Sequence, residues 1–247
     1  VSPLRILTQP GPFAFLKIAE GCDHSCSYCV IPKLRGKYCS RDRTILRREA
    51  ETLAAQGVKE LVLVAQDTTG YGKDMEGEEL VDLLLELGEI GGIDWLRVLY
   101  AYPDYLSDRL IELIASHPKV CKYLDLSLQH CEERLLKRMG RQGNRQKLEE
   151  LIQHLRTAIP GLTLRTTFIV GFPGETEEEF EGLLDFVKTM RFERLGSFKY
   201  SREEGTQAAG LPGQIPRAVK ERRQHKLMKL QRGISLGHNR SLLGTAQ

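Results

Sequence analysis

The chain is predicted to be an α/β protein, a partial (open) TIM barrel of six β/α units with parallel strands. Three observations carry that prediction. Apolar runs of strand length alternate with segments whose apolar residues recur at i, i+3, i+4 and i+7. Capping residues fall where those helical segments should begin and end. The units number six, two short of the eight that close a barrel.

In chain order, buried strands are read at Ala14 to Ile18, Leu61 to Val64, Leu96 to Leu99, Tyr123 to Leu126, Thr163 to Val170 and Leu195 to Tyr200. Between them lie helical stripes. Leu80, Leu83, Leu84 and Leu87 form one; Leu148, Leu151, Ile152 and Leu155 a second; Phe180, Leu183, Leu184 and Val187 a third. Weaker helices are read over Ile45 to Gln56 and Ser107 to Ser116. Ser107 caps the latter and His117-Pro118 ends it, while Thr176 with Glu179 reads as a capping box. A last helix runs from about Arg217 to Leu243, after the linker-like stretch Leu211 to Pro216. Residues 1–216 are therefore assigned to the barrel and 217–247 to a C-terminal helix packed on it. Alternation of this kind implies right-handed crossovers, with chemistry gathered on the loops that follow the strands.

Composition narrows the class. With 41% hydrophobic and 28% charged residues the chain is globular. A formal net charge of +3 neither announces nor excludes a nucleic-acid partner. No apolar run reaches the length of a membrane span and no signal-peptide pattern opens the chain. Six cysteines in 247 residues are too few for a stapled scaffold, so the thiols read as reduced and the protein as cytoplasmic. Cys39, Cys121 and Cys131 are expected to be buried or half-buried small hydrophobes. A basic run, Lys33, Arg35, Lys37, Arg41, Arg43, Arg47 and Arg48, lacks the aromatic interleaving that would argue for RNA. Arg47 and Arg48 read as a solvated helix face. The sequence begins Val1-Ser2-Pro3 without methionine, as a piece of a longer protein would.

The most informative segment is Gly21-Cys22-Asp23-His24-Ser25-Cys26-Ser27-Tyr28-Cys29. Its C-x3-C-x2-C spacing supplies three soft ligands in one loop, directly after the first strand. A structural zinc site takes four ligands, usually as two separated pairs. Zinc would need Cys39 as the fourth, at spacings unlike the common ones. Three thiolates on a cubic iron–sulfur cluster instead leave one iron open to a small molecule.

These residues, with Tyr28 before the third cysteine, resemble the radical S-adenosylmethionine (SAM) enzymes. That resemblance implies one 4Fe-4S cluster on Cys22, Cys26 and Cys29, with SAM at the open iron. It also gives meaning to the strand ends. Gln66 and Asp67, at the second, would reach the methionine part of SAM, or Asp67 caps its own loop. Ser127 and Gln129, at the fourth, would bond the ribose or only neighbouring loops. The fifth, Thr167-Phe168-Ile169-Val170-Gly171-Phe172-Pro173-Gly174-Glu175, is similar to the family's adenine-supporting stretch, with Ile169 against the ring; alone it would read as a turn into a capped helix. Tyr200, at the sixth, joins Thr167 and Gly171 as a SAM candidate. Lys33, Arg35, Arg41, His130 and Arg141 remain as substrate-side candidates, His130 being equally read as a structural hydrogen-bonder.

Within that family the chain resembles the methylthiotransferases, through Ile31-Pro32, Arg35-Gly36, Ser40-Arg41 and Gly171 to Glu175. Gln66-Asp67-Thr68-Thr69, Tyr100-Ala101-Tyr102-Pro103, Leu128-Gln129-His130 and Tyr200 to Thr206 resemble the RimO-type branch, which modifies a ribosomal protein, more than the tRNA-modifying branch. Ser127 departs from that branch, where proline is common. The resemblance implies conversion of a C–H bond at the β-carbon of an aspartate, on the small-subunit ribosomal protein numbered twelve, into C–S–CH3. SAM cleavage to a 5′-deoxyadenosyl radical, fed by an external electron donor, would drive it. The family also carries an amino-terminal domain with a second cluster and a carboxy-terminal TRAM barrel. This sequence is expected to lie between them, and so to cleave SAM without completing sulfur transfer. The tRNA reaction and a non-enzymatic zinc module are the competing readings.

Overall fold

The computed structural model describes residues 11–77 and 79–245. The first ten residues of the predicted barrel, and Ala246 and Gln247 at the other end, lie outside the described residues.

Among the described residues, eight strands and eight α-helices follow one another: β1 (Phe13–Lys17), β2 (Ala19–Glu20), α1 (Ile31–Arg35), β3 (Cys39–Ser40), α2 (Arg43–Ala55), β4 (Glu60–Val64), α3 (Leu80–Gly88), β5 (Trp95–Val98), α4 (Asp108–Ser116), β6 (Tyr123–Gln129), α5 (Glu133–Arg138), α6 (Arg145–Ala158), β7 (Thr163–Val170), α7 (Glu177–Met190), β8 (Arg194–Lys199) and α8 (Arg217–Ser241). The six predicted strands are β1, β4, β5, β6, β7 and β8: β1, β5 and β8 lie one residue earlier than predicted, β4 begins one earlier, β6 runs three residues further and β7 coincides. The two-residue strands β2 and β3 were beyond the reach of periodicity.

The chain gathers into two compact units. The first takes residues up to Asp23, Ile31–Asp125 and Ala158–Leu162; the second takes His24–Val30, Leu126–Thr157 and Thr163 onward. In the first, a parallel sheet of order β1-β4-β5 pairs Leu16 with Leu63 and Leu61 with Leu96. These leucines are fully buried, as are Leu46 and Leu53 of α2 and Leu83, Leu84 and Leu87 of α3, so the periodic stripes do face the core. The side chain of Asp42 accepts the Ile45 N–H at 3.0 Å to start α2, and Ser107 accepts from Leu110 to start α4. A separate antiparallel ladder sets Ala19 opposite Ser40 and Glu20 opposite Cys39.

In the second unit the strand order is β6-β7-β8, with β7 and β8 parallel and Ile169 opposite Phe198. Its core is aromatic. Phe168, Phe186 and Phe192 are fully buried with ring centroids 6.0 to 6.3 Å apart. The capping box at α7 is complete: Thr176 Oγ1 accepts the Glu179 N–H, and the Thr176 N–H donates to Glu179 Oε2 at 2.9 Å. Thr176→Ala is therefore expected to lower stability by about 1 kcal/mol, seen as a lower urea midpoint at unchanged slope. The long α8 lies along α7 and β8, burying Leu227 and Ile234 and sending Gln231 to the Phe192 carbonyl at 2.8 Å.

One thiol expectation is corrected. Cys131 is buried and Cys121 half-buried, but Cys39 is exposed, because it occupies the outward position of a two-residue ladder whose other member, Ser40, turns inward. No disulfide joins any of the six cysteines. Burial raises the Cys131 thiol far above its ordinary value, and Glu132 adds to the rise, as expected of an inert packing residue. Among the described residues no helix is long and apolar enough to cross a membrane.

Candidate functional site

The cysteine loop is tied down from both of its ends, each within its own unit. On the first side, the Glu20–Cys39 ladder closes the neck. Gly21 then turns with φ 76°, and a Cβ there would stand 2.1 Å from the Lys37 carbonyl oxygen. The Cys22 N–H donates to the Gly36 carbonyl at 3.2 Å, and the Tyr38 N–H to Asp23 Oδ1 at 3.0 Å. Cys22 itself is buried.

Tyr38 links this side to the end of β4, its hydroxyl donating to the Asp67 carbonyl at 2.8 Å. Burial, reinforced by Asp67, Asp74 and the neighbouring Cys22, holds that hydroxyl protonated far above the usual tyrosine range. Asp67 is buried and accepts the Thr69 hydroxyl at 2.6 Å; Thr69 Oγ1 in turn accepts the Tyr102 N–H at 2.9 Å. Asp67 therefore bonds a side chain of its own turn but makes no side-chain cap to the backbone that follows. Gln66 is exposed, with Nε2 3.4 Å from Glu20 Oε1. Lys33 and Arg35 are exposed on α1, whereas Arg41 is occupied by Glu49 and the Lys17 carbonyl at 2.7 and 2.6 Å. Arg47 bridges Glu51 and Glu86.

On the second side, Ser27 is the anchor. Its N–H donates to the Met139 carbonyl at 2.9 Å, its hydroxyl to the Arg138 carbonyl at 2.8 Å, and its carbonyl accepts the Ala208 N–H at 2.8 Å. The C-terminal end of α5 thereby holds the backbone between Cys26 and Cys29, whose own turn is closed by Cys29 N–H donating to the Cys26 carbonyl at 3.0 Å. Gly140 lets the two segments touch: with φ 72°, a Cβ there would lie 2.5 Å from the Ser25 carbonyl oxygen.

Arg141 is the electrostatic centre of this half. It is buried, donates to Cys26 Sγ at 3.8 Å and to the Ser127 carbonyl at 2.5 Å. Burial pushes the Tyr28 hydroxyl upward, partly opposed by Arg141 and reinforced by Cys26. Tyr28 packs on a cluster of Leu135, Met139, Ile169, Phe172, Tyr200 and Ala208. Three residues chosen at separate strand ends, Tyr28, Ile169 and Tyr200, therefore meet in one apolar wall. Gln129 closes β6 with φ 69°, a left-handed backbone uncommon outside glycine. Thr167 sits half-buried on β7.

His130 lies in the interior. It is wholly buried; its Nδ1 accepts the Glu132 N–H at 3.1 Å and its Nε2 lies 3.4 Å from Glu175 Oε1. Glu175 is the hub that sequence reasoning only brushed, as the last letter of the β7 stretch. Its Oε2 accepts the Gly171 N–H at 2.5 Å and the Arg223 guanidinium at 2.6 Å, and Arg223 also reaches the Glu175 carbonyl. Nothing local marks Arg223, which comes from α8 in the distant end of the chain. Nor does local pattern reveal Tyr38 or Gly140.

Among the described residues no group of three or more His, Cys, Asp or Glu stands ready to hold a single metal ion. The donor set nevertheless suits an iron–sulfur cluster. It offers three thiols in one loop, with backbone restraint beside Cys22 and beside Cys26 and Cys29, and a buried guanidinium directed at Cys26 Sγ.

Residues 16–187 match the Radical SAM superfamily, and the chain belongs to that superfamily. Within it the sequence is similar to RimO proteins. It is 54% identical over 244 residues to the ribosomal protein uS12 methylthiotransferase RimO of Pelobacter propionicus, covering 98% of this chain and 54% of that protein. It is likewise 54% identical over 241 residues to RimO of a Thermoanaerobacter species, covering 97% of this chain and 55% of the other. The chain thus spans about half the length of the curated relatives it matches. Among solved structures, coproporphyrinogen III oxidase (HemN) of Escherichia coli, a radical SAM enzyme, aligns with TM-score 0.64 at 16% identity, over 90% of this chain and 52% of that one. The radical SAM methyltransferase TsrM of Kitasatospora setae, with cobalamin and a 4Fe-4S cluster bound, aligns with TM-score 0.62 at 20% identity, over 76% and 36%. At such identities the likeness speaks for the fold alone, and it agrees with the partial-barrel α/β class.

Proposed function

We propose that this chain is the radical SAM core of a methylthiotransferase acting on an aspartate β-carbon of the small-subunit ribosomal protein uS12. Supporting this is the likeness to RimO over nearly the whole chain, together with one structural observation. Close backbone contacts hold the cysteine loop at Gly21 within the first unit and, separately, at Ser27 and Gly140 within the second. Cys22, Cys26 and Cys29 would hold the 4Fe-4S cluster. With SAM on its open iron, such a cluster supplies the single electron that generates a radical able to take hydrogen from an unactivated C–H bond.

The chain's own residues have positioning work. Arg141 holds Cys26 and the Ser127 carbonyl at fixed separation. Tyr28, Ile169 and Tyr200 form the apolar wall suited to a flat adenine ring, and such a wall excludes water from the radical. Gly171, with Ser127, Gln129 and Thr167, borders the ribose end of SAM. Gln66 and Asp67 serve the methionine end. Lys33, Arg35 and Arg41 remain the substrate-side cations of this reading; Lys33 and Arg35 are exposed on α1, and Arg35 lies 3.9 Å from Glu20 Oε1. The described residues up to 216 form the catalytic body of this reading, and α8 (Arg217–Ser241) follows it. The reaction takes place in the cytoplasm and draws on an external electron donor.

Anaerobic reconstitution tests this reading. The chain is expected to take up about four irons and, with dithionite, to release 5′-deoxyadenosine from SAM. Cys26→Ala should cut both, the second by more than about a hundredfold, since loss of a direct ligand exceeds the usual cost of losing an outer partner. A colourless protein with stoichiometric zinc would sink the proposal in favour of the zinc module. Mass spectrometry of ribosomal peptides against tRNA nucleosides, in cells expressing the parent protein, separates the two methylthiotransferase readings.

A further inference from the structure

We infer that the outer face of α8, in its second half, is a docking surface for the phosphate backbone of RNA. The 26 residues from Arg222 to Gln247 contain four arginines, two lysines and two histidines, and no aspartate or glutamate. Solvated charge runs on helices normally mix both signs, so an acid-free stretch of this length calls for an explanation.

The ion pairing of α8 is divided along its length. In the first half every cation meets a carboxylate or carbonyl. Arg217 pairs with Glu221, Lys220 reaches the Tyr200 carbonyl, Arg222 and Arg223 meet Glu177, and Lys226 meets Glu181. In the second half, Lys229, Arg232 and Arg240 are exposed, and among the described residues none of them pairs with a carboxylate. With His225 they recur at helical spacing along one stripe. The elements packed beside that half add cations rather than cancel them. Arg191, at the C-terminal end of α7, places its guanidinium beside Gly237, and Arg194 of β8 bonds Asn239 at 3.2 Å. The nearest acid, Glu193, is already taken by Arg156 and the Leu164 N–H.

A second feature suits a bulky, close-lying backbone. Gly233 and Gly237 sit four residues apart on the exposed side of the helix, where each costs about 1 kcal/mol relative to alanine. No neighbour demands their smallness: a Cβ at Gly233 would meet nothing, and one at Gly237 only the tip of Arg191. A helix this weakened and this positive on one side is fitted to bring polyanion close to its axis. The inference does not depend on the proposed reaction, since the contact is sequence-independent and needs neither iron nor SAM.

The test is binding of the 247-residue chain to a fluorescently labelled 20-base-pair RNA duplex, read by anisotropy across a potassium chloride series. Three or four neutralised phosphates predict a log–log salt slope of about −3, by analogy with the value of about −0.9 per phosphate contact on duplex DNA. Lys229→Gln with Arg232→Gln should flatten the slope by about 2, and Lys229→Glu with Arg232→Glu should weaken binding at least tenfold. Lys147→Glu with Arg48→Glu makes the same change of net charge elsewhere and should shift affinity less than twofold. Circular dichroism checks that α8 stays helical in each. Equal loss in both charge-reversed pairs would overturn the inference, as would no binding at low salt. Poly-glutamate competing as well as RNA would also overturn it, by pointing to an acidic protein.

Discussion

Gly21→Ala should abolish iron retention and destabilise the first unit by about 3 kcal/mol or more. Two costs add at this residue. Its φ of 76° places an L side chain in the left-handed region, about 1–2 kcal/mol on its own. Its Cβ would also stand 2.1 Å from Lys37 O, 2.7 Å from Lys37 C and 2.8 Å from Gly36 O. All three are backbone atoms, so no side chain can swing away. Relief requires the backbone to part where Cys22 N–H meets the Gly36 carbonyl and where Glu20 pairs with Cys39. Chemical denaturation of the metal-free chain, alongside iron content after reconstitution, checks the expectation. A variant that kept both within error would show that the neck does not position Cys22.

The second large effect is expected at Glu175. Its carboxylate and the Arg223 guanidinium are 0% and 4% exposed and 2.6 Å apart. Removing one member of such a pair leaves the other as an uncompensated buried charge, typically 3–5 kcal/mol. Glu175→Ala would strand Arg223, release the Gly171 N–H and deprive His130 of its neighbour at once. Glu175→Gln keeps the shape and the acceptor for Gly171, so it should recover part of the loss. Combining Glu175→Ala with Arg223→Met removes both charges and should be more stable than Glu175→Ala alone. Urea unfolding of the three variants decides this; equal destabilisation of all three would show that the ion pair is not the cause. SAM affinity, measured on the folded variants, should fall with Glu175→Ala because the turn at Gly171 borders the apolar wall around Ile169.

These two residues illustrate what sequence does and does not disclose. The strands were readable because burial on both faces leaves continuous apolar runs, as in Leu61 to Val64. The helices were readable because their leucines repeat with the helical period, and Thr176 with Glu179 announced its own cap. The cysteine loop was readable from spacing alone. Glu175 and Arg223, by contrast, are 48 positions apart and sit in locally ordinary settings. Tyr38 and Gly140 act through single close approaches of backbone or ring, which leave no periodic trace. Cys39 was misjudged because the burial habit of cysteine is a statistical tendency, and a two-residue ladder overrides it. Arg141, read as a substrate-side candidate, is buried and bonded to Cys26 Sγ and the Ser127 carbonyl, contacts that local sequence does not disclose.

The short ladder of β2 with β3 has one more consequence. In small metal-folded domains, coordination and folding are a single event, and the ion supplies the free energy that orders the chain. Here the neck of the loop is shut by main-chain hydrogen bonds, between Glu20 and Cys39 and from Cys22 to Gly36. A neck closed in this way is expected to keep the fold when the cluster proposed for Cys22, Cys26 and Cys29 is removed, so iron lost to oxidation could be replaced without refolding the chain; an unchanged far-ultraviolet circular dichroism spectrum after chelation checks this.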